Sequence, residues 1–402
     1  MNKIIITKMN GQILTAMSNG SRIVQMHLEE KDSQSVLGNI YIGKVKNIAK
    51  NINAAFIDLG GQMAYYSLTE NKNHLFTESL SSSSKIQRQL HAGDEIIVQV
   101  SKDAIKTKES VVTGNLSFTG RFCVVTAGRR QISFSSKISN EAWKAKLKLL
   151  LEEEKDKEFG IIVRTNAQSA AISDILEELR ELKAQYYQLL SEADYRTCYT
   201  LLYKAVPSYI STLRDTYKDF MEEIVTDDKD IFQEIQEYLS AYQSEDAKKI
   251  RLYQDPLLPL GKLYSIEKAM DEALQKRVWL KSGGYLVIEP TEAMTVIDVN
   301  TGKYTGKKNL RDTIKKINFE AAVEIGYQLR LRNLSGIILI DFIDMDTKED
   351  RQELMEILSD CCAKDPIKTT VVDMTKLGLV EVTRKKVRKP FREQVGKGEQ
   401  KR

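Results

Sequence analysis

The chain has 402 residues, 42% hydrophobic and 29% charged, a globular balance that is too long for one core and suits roughly two to four domains. No apolar run reaches membrane-spanning length and the start, Met1-Asn-Lys-Ile-Ile-Ile, reads as a strand and not as a signal peptide, so no membrane segment and a cytoplasmic location are expected. The net charge of +4 is uneven: residues 384–402 carry nine Lys/Arg against Glu393 and Glu399, a basic tail that suits a polyanion such as RNA, or one that is merely solvated. Cys123, Cys198, Cys361 and Cys362 form no Cys-x-x-Cys pair, and His27, His74 and His91 are scattered. That pattern argues against a zinc site of that spacing, a histidine-built zinc centre and a Ser/His/Asp triad.

Residues 1–30 alternate (Ile4, Ile6; Ile13, Thr15; Ile23, Val24, Met26) around Asn10-Gly11 and Asn19-Gly20, which predicts three antiparallel strands that need a partner from later in the chain. Short strands with glycine corners follow at 39–48, 53–60, 64–68 and 93–100, the pattern of a small barrel. A Gly-x-Val, then Phe56-Ile-Asp58-Leu-Gly60, then Tyr66 resemble the RNA-binding OB fold of ribosomal protein S-one. Phe56 and Tyr66 are expected on its open face, where bases stack at ~1–3 kcal/mol each, with Lys102 and Lys108 beside them to meet phosphates. Barrel core is the alternative for Phe56 taken alone.

Residues 119–191 predict a second small unit, with strands at 122–125 and 160–165 and helices at 141–157 and 173–191. Arg164-Thr165 ends an apolar strand where a helix follows; a guanidinium with a hydroxyl there suits a phosphate pocket, although taken alone the pair reads first as a surface arginine at a strand end. Strands at 222–227 and 249–253 flank a helix at 230–244 and are placed to complete the sheet begun by residues 1–30, which would make the barrel and the small unit insertions. A helix over 265–280, the turn Lys281-Ser-Gly-Gly284 and a strand at 285–288 lead into residues 292–345.

That stretch organises the chain. Met294-Thr-Val-Ile-Asp298-Val-Asn300 and Gly336-Ile-Ile-Leu-Ile-Asp341 are β-branched apolar runs that read as buried parallel strands. Between them Leu310, Ile314, Ile317, Ala321, Ala322, Ile325 and Leu329 keep a helical period over 308–332. Strand, helix, strand makes a right-handed crossover that places Asp298 and Asp341 near each other at strand carboxyl ends. Two neighbouring carboxylates repel unless a cation lies between them, and Mg²⁺ completed by phosphate oxygens fits. Either aspartate taken alone reads first as a cap of the helix or turn after its strand; it is the pair that points to a cation. A helix over 348–363, a strand over 368–374 and a run over 377–384 close the chain before the tail; Cys361 and Cys362 lie on that helix, one of them buried.

Residues 160–165, Ser282-Gly-Gly284, 291–300, Asn318-Phe-Glu320, Gln328-Leu-Arg-Leu-Arg332 and 336–345 together resemble the ribonuclease E/G endoribonucleases, over nearly the whole chain. The resemblance implies an α/β multidomain architecture. A ribonuclease-H-like domain (1–36 with 201–272) would be interrupted by an OB-fold barrel of S-one type (37–118) and a 5′-phosphate-sensing subdomain (119–200). A catalytic, deoxyribonuclease-I-like domain (273–384) and the basic tail (385–402) would follow. It implies that Asp298 and Asp341 bind the catalytic Mg²⁺, with Mn²⁺ as a substitute, and that Asn300 orients Asp298; these carboxylates account for one metal, and Asp344 is read as structural in preference to a ligand of a second. It implies that Arg164 and Thr165 recognise an RNA 5′-monophosphate, with Val124 at the terminal base and Lys368 in support, and that Phe56, Tyr66, Lys102 and Lys108 are RNA contacts of the barrel. Tyr66 stands where relatives carry phenylalanine, and Lys368 where they carry arginine. The Cys-Pro-x-Cys zinc link of many members does not occur in the 402 residues, so structural Zn²⁺ and a zinc-linked dimer are not expected, while another homo-oligomer remains compatible. The expected activity is Mg²⁺-dependent cleavage of single-stranded RNA to 5′-phosphate and 3′-hydroxyl ends, in RNA processing and decay. The alternatives are an RNA-binding protein of the same architecture without cleavage, and a DNA nuclease.

Overall fold

The computed structural model describes residues 2–30, 36–79, 88–104, 109–128, 130–154, 156, 158–216, 221–302 and 310–399. The chain forms two compact units, one discontinuous (Met1–Asp32 with Asp219–Arg402) and one inserted into it (Ser33–Lys218). Among the described residues no helix is long and apolar enough to cross a membrane.

In the discontinuous unit Lys3–Met9, Gln12–Ser18 and Ile23–Glu30 form an antiparallel meander. Asn10 and Gly11 both have positive φ (50° and 78°), the requirement of the tight hairpin turn that Asn-Gly selects. Glu223–Thr226 adds to Lys3–Met9 in parallel, and Ile250–Leu252 completes a five-stranded sheet. The first strand of the chain is therefore an interior one, and Ile4, Ile5 and Ile6 are fully buried.

The second sheet of this unit has the order Arg277–Trp279, Tyr285–Pro290, Met294–Asn300, Gly336–Asp341, Leu379–Arg384, Thr369–Met374. Met294–Asn300 and Gly336–Asp341 run parallel, and the other neighbours are antiparallel. The crossover helix Leu310–Leu331 and the helix Lys348–Ala363 cover one face, where Leu286, Ile297, Ile338, Ile340, Val380 and Val382 pack on Ile317, Ala321, Ile325, Leu354 and Leu358. The reading of the two central runs as buried strands is corrected here: among the described residues no helix of this unit covers their other face, and Ile337 is 50% exposed. A sheet mostly antiparallel, with helices on one side, leaves its far side to solvent. The crossover helix is held from behind as well, since Tyr327 and Leu331 join the core of the first sheet. Tyr327 Oη donates to the Ile23 carbonyl (2.6 Å), and the Arg22 guanidinium lies 3.3 Å from the Tyr327 ring centre and pairs with Glu324 (2.9 Å).

Two further expectations change. The helix expected over 265–280 spans Ile266–Leu274, and Arg277–Trp279 is instead an edge strand paired with Tyr285–Pro290 across the Lys281-Ser-Gly-Gly284 turn. The basic tail is not wholly solvated: Phe391–Glu399 is a helix whose Phe391 is fully buried against the first sheet.

In the inserted unit Ile40–Ala49, Ala54–Asp58, Met63–Ser67, Ser110–Thr113 and Glu95–Lys102 form a barrel closed by pairing of the first with the last, consistent with the expected OB-like fold. Asp58 sets its first corner by accepting hydrogen bonds from Gly60 N and Gly61 N, which with Lys46 hold its carboxyl below the ordinary range. A four-stranded sheet, Ile132–Phe134, Phe159–Val163, Cys123–Ala127, Ser117–Thr119, packs on the helices Glu141–Glu154 and Ile172–Ala193.

Candidate active site

Asp298 and Asp341 are direct register partners in adjacent parallel strands, which lie about 4.8 Å apart, so both carboxylates rise from the same uncovered sheet face. Asp298 is half-buried and Asp341 exposed. Asn300, two residues on and hence on that same face, donates from Nδ2 to Asp298 Oδ2 (2.8 Å) and fixes its rotamer. Partial desolvation, then the negative charges of Asp298 and Asp344, push the Asp341 carboxyl above its ordinary range. Two side-by-side carboxylates repel each other, and a divalent cation between them relieves the repulsion. Among the described residues no group of three or more His, Cys, Asp or Glu is placed to hold a metal. Two hard oxygen donors on an open face suit an ion that keeps much of its water and takes substrate oxygens, as Mg²⁺ does.

Two residues of the crossover helix position this pair. Buried Asn318 donates from Nδ2 to the Ile343 carbonyl (2.7 Å) and accepts from Ile343 N (3.1 Å), clamping the backbone two residues beyond Asp341. The Glu320 carboxylate accepts from Lys281 N (2.6 Å) and Ser282 N (3.1 Å) and ties down the Lys281-Ser-Gly-Gly284 turn. Beside that turn Gly302 has φ +61°, and a Cβ on it would stand 2.3 Å from the Gly283 carbonyl oxygen, so only glycine fits after the Asp298 strand. Sequence reasoning marked both blocks through the resemblance but gave neither Asn318 nor Glu320 this task; its one signal was a polar Asn-x-Glu inside an otherwise apolar helix stripe.

Within the inserted unit Arg164 and Thr165 lie where the strand Phe159–Val163 ends, and Val124 is half-buried on the neighbouring strand Cys123–Ala127. Arg164 is already engaged: its Nη1 donates to the Gly120 carbonyl (2.6 Å) and to Asp215 Oδ1 (2.8 Å), an oxygen that also accepts from Arg214 Nε (2.9 Å). Desolvation pulls the Asp215 carboxyl upward, but the Arg164 and Arg214 guanidiniums outweigh it and hold the group below its ordinary range. Thr165 Oγ1 shares a hydrogen bond with Ser135 Oγ (2.9 Å). Glu178 accepts from the backbone N–H groups of Arg121, Phe122 and Cys123 (2.7–2.8 Å), which shapes the loop before Val124. Ser135, Glu178, Arg214 and Asp215 are new here; they are separated from Arg164 in sequence and fall in no motif.

Phe56 is half-buried on the outside of the barrel. Tyr66, expected beside it on the open face, is fully buried in the barrel core with its hydroxyl 2.9 Å from His74 Nδ1. The side chain that shares Phe56's face is Tyr65, its register partner, with ring centres 6.3 Å apart. A strand alternates its faces every residue, so a reading one position off turns the ring inward. Lys102 is exposed at the end of Glu95–Lys102, and Lys108 lies outside the described residues. Lys368, exposed before Thr369–Met374, belongs to the discontinuous unit, whereas Arg164, Thr165 and Val124 belong to the inserted one.

The profile of the Ribonuclease E/G family matches residues 117–387. Ribonuclease G of Haemophilus influenzae is 36% identical over 377 residues, covering 90% of this chain and 75% of that protein. Ribonuclease G of Escherichia coli (strain K12) is 32% identical over 394 residues, 96% of this chain and 80% of that protein. Ribonuclease E of Synechocystis sp. is 35% identical over 363 residues, 88% of this chain and 52% of that protein.

Proposed function

The chain belongs to the Ribonuclease E/G family, and from that premise we propose that it is an endoribonuclease cutting single-stranded RNA with Mg²⁺ or Mn²⁺, leaving 5′-phosphate and 3′-hydroxyl ends, in RNA processing and decay. The observation that carries the reading is the register pairing of Asp298 with Asp341 on an uncovered sheet face. Asp298 and Asp341 would hold the ion, which when bound supplies Lewis-acid stabilisation of the scissile phosphate during attack by water. Asn300 keeps one oxygen of Asp298 hydrogen-bonded and thereby aims the other. Asn318 and Glu320 hold two backbone segments that bear on the site, the one at Ile343 and the Lys281-Ser-Gly-Gly284 turn, in place before the substrate arrives. Phe56 with Tyr65, and Lys102, offer stacking surface and charge to a single strand on the barrel. Arg164 with Thr165 is the candidate receptor for a 5′-monophosphate, a second hold on the same strand that raises its effective concentration.

The test is cleavage of one oligonucleotide carrying a 5′-monophosphate, triphosphate or hydroxyl, with Mg²⁺ and with EDTA and with products mapped. Asp298→Asn with Asp341→Asn is expected to lower cleavage by more than about a hundred-fold, since losing even an outer partner of a metal site costs ~10–100-fold, while RNA binding persists. Cleavage undiminished in that double variant sinks the assignment; tight binding without cutting by the unaltered chain identifies a binding protein instead.

A further inference from the structure

The uncovered face of the carboxylate sheet carries more than carboxylates. Register places Arg277, Val287, Asp298 and Asp341 in one row across four strands, and Trp279, Tyr285 and Asn300 in the next row. Trp279 is 61% exposed although it belongs to a sheet, and its ring centre lies 5.2 Å from that of half-exposed Tyr285 at 60°. The Arg277 guanidinium stands 4.5 Å from the Tyr285 ring centre and 5.7 Å from that of Trp279, and among the described residues it makes no ion pair. An indole left in water on an edge strand has a use if something flat covers it, and an unpaired guanidinium beside it favours an anionic partner.

We propose that Trp279 and Tyr285, with Arg277, form a nucleobase-stacking subsite that holds the RNA strand next to the Asp298–Asp341 pair. The inference rests on the nuclease reading for its ligand, and deepens it by naming what grips the strand beside the scissile bond. Tyr285 is the register partner of Asn300, so the subsite begins one strand away from the residue that aims Asp298. A single-stranded polynucleotide passing over the carboxylates toward the sheet edge presents a π-face and a phosphate at each nucleotide; the two rings meet the first and Arg277 the second. A second copy of the chain seated on these rings would also approach Asn300 and close the face that the substrate needs. Sequence tolerance follows, because every base has a face to stack; the subsite sets the strand's path and leaves base identity unread.

The chain has two tryptophans, Trp143 and Trp279, so a Trp143→Phe background makes Trp279 the sole reporter. In EDTA, where cutting is stopped, titration with a short single-stranded RNA is expected to quench Trp279 emission. Trp279→Ala should bind that RNA about five- to fifty-fold more weakly, and Trp279→Phe should recover most of the loss. A single abasic site walked along the oligonucleotide should weaken binding most at a position adjoining the mapped cut, and that dip should vanish in Trp279→Ala. No quench together with unchanged affinity in Trp279→Ala overturns the subsite. Sedimentation in which Trp279→Ala abolishes self-association but leaves RNA affinity intact also overturns it, and makes the face an interface between copies. Quenching and a positional dip in a chain that never cuts would retain the subsite while removing the nuclease assignment, so the two failures are distinguishable.

Discussion

At the level of single atoms, Asp215 bears on how the 5′-phosphate pocket proposed at Arg164 would work. The Arg164 Nη1 that would meet a 5′-phosphate already donates to Asp215, and Arg214 donates to the same oxygen. A phosphate dianion entering there must share or displace that hydrogen bond and sit near a like charge. Removing the charge should therefore strengthen the pocket. Asp215→Asn is expected to lower KM for a 5′-monophosphorylated oligonucleotide roughly two- to five-fold, the equivalent of the ~1 kcal/mol or less that a solvent-accessible ion pair carries, and to leave the 5′-hydroxyl substrate unchanged. An equal fall for both substrates, or a rise confined to the monophosphate, would show that Asp215 positions Arg164 instead of competing for it. Sequence alone exposes Arg164-Thr165 because an apolar strand ends on them, but Asp215 arrives from 51 residues away and leaves no local mark. The same limit hid Asn318, while Asp298 and Asp341 were legible because each stands at the end of a β-branched run. Tyr66 was misplaced for a different reason: two adjacent tyrosines offer no apolar–polar contrast from which to choose the inward one.

Whole elements were legible where period and punctuation agreed. The crossover helix, its two strands and the hairpins at Asn-Gly were all of that kind. The edge strand Arg277–Trp279 was not, because Lys276–Leu280 continues the preceding helix's spacing; the turn at Lys281–Gly284 was the cue, since a hairpin turn requires two arms. The final helix was read only as charge, because its anchor is a lone Phe391 and a Gln394 whose partners lie in the first sheet. That anchor carries a pH dependence. Gln394 Oε1 accepts from Leu28 N (2.8 Å) and from His27 Nδ1 (3.1 Å). Burial, and then the positive Arg388, lower the His27 pKa from 6.5 to about 3 despite the Gln394 bond. The folded chain thus holds a neutral imidazole where the unfolded chain takes up a proton below its ordinary pKa. The contribution is whole above pH 6.5 and is lost as pH falls toward 3, at up to about 1.4 kcal/mol per pH unit. Urea unfolding between pH 7.5 and 4.5 should show this slope in the unaltered chain, and His27→Gln should remove that part of it. Parallel pH profiles for the two proteins would refute the assignment.

At the scale of the molecule, the discontinuous unit ties the first residues of the chain to the carboxylates nearly three hundred positions later. Lys3–Met9 is interior to its sheet, paired with Gln12–Ser18 on one side and with Glu223–Thr226 on the other. The third strand of that sheet accepts the Tyr327 hydroxyl at Ile23 and so backs the crossover helix, whose opposite side packs beneath Asp298 and Asp341. The helix is thus shared by two cores, and neither sheet can loosen without releasing one side of it. A cavity in the first sheet should be felt at the site. Ile5→Ala, at a fully buried position, is expected to cost about 2–5 kcal/mol. Because the helix is common to both sheets, cleavage by this variant should fail at the same lowered urea concentration at which the discontinuous unit unfolds, while activity without denaturant stays close to normal. Tyr327→Phe, which leaves the Ile23 carbonyl without its donor, should move both midpoints the same way by about 1 kcal/mol. If Ile5→Ala unfolded the first sheet early while cleavage persisted to the original midpoint, the two sheets would be separate cooperative units, and the N-terminal strands would be support for something other than the carboxylate pair.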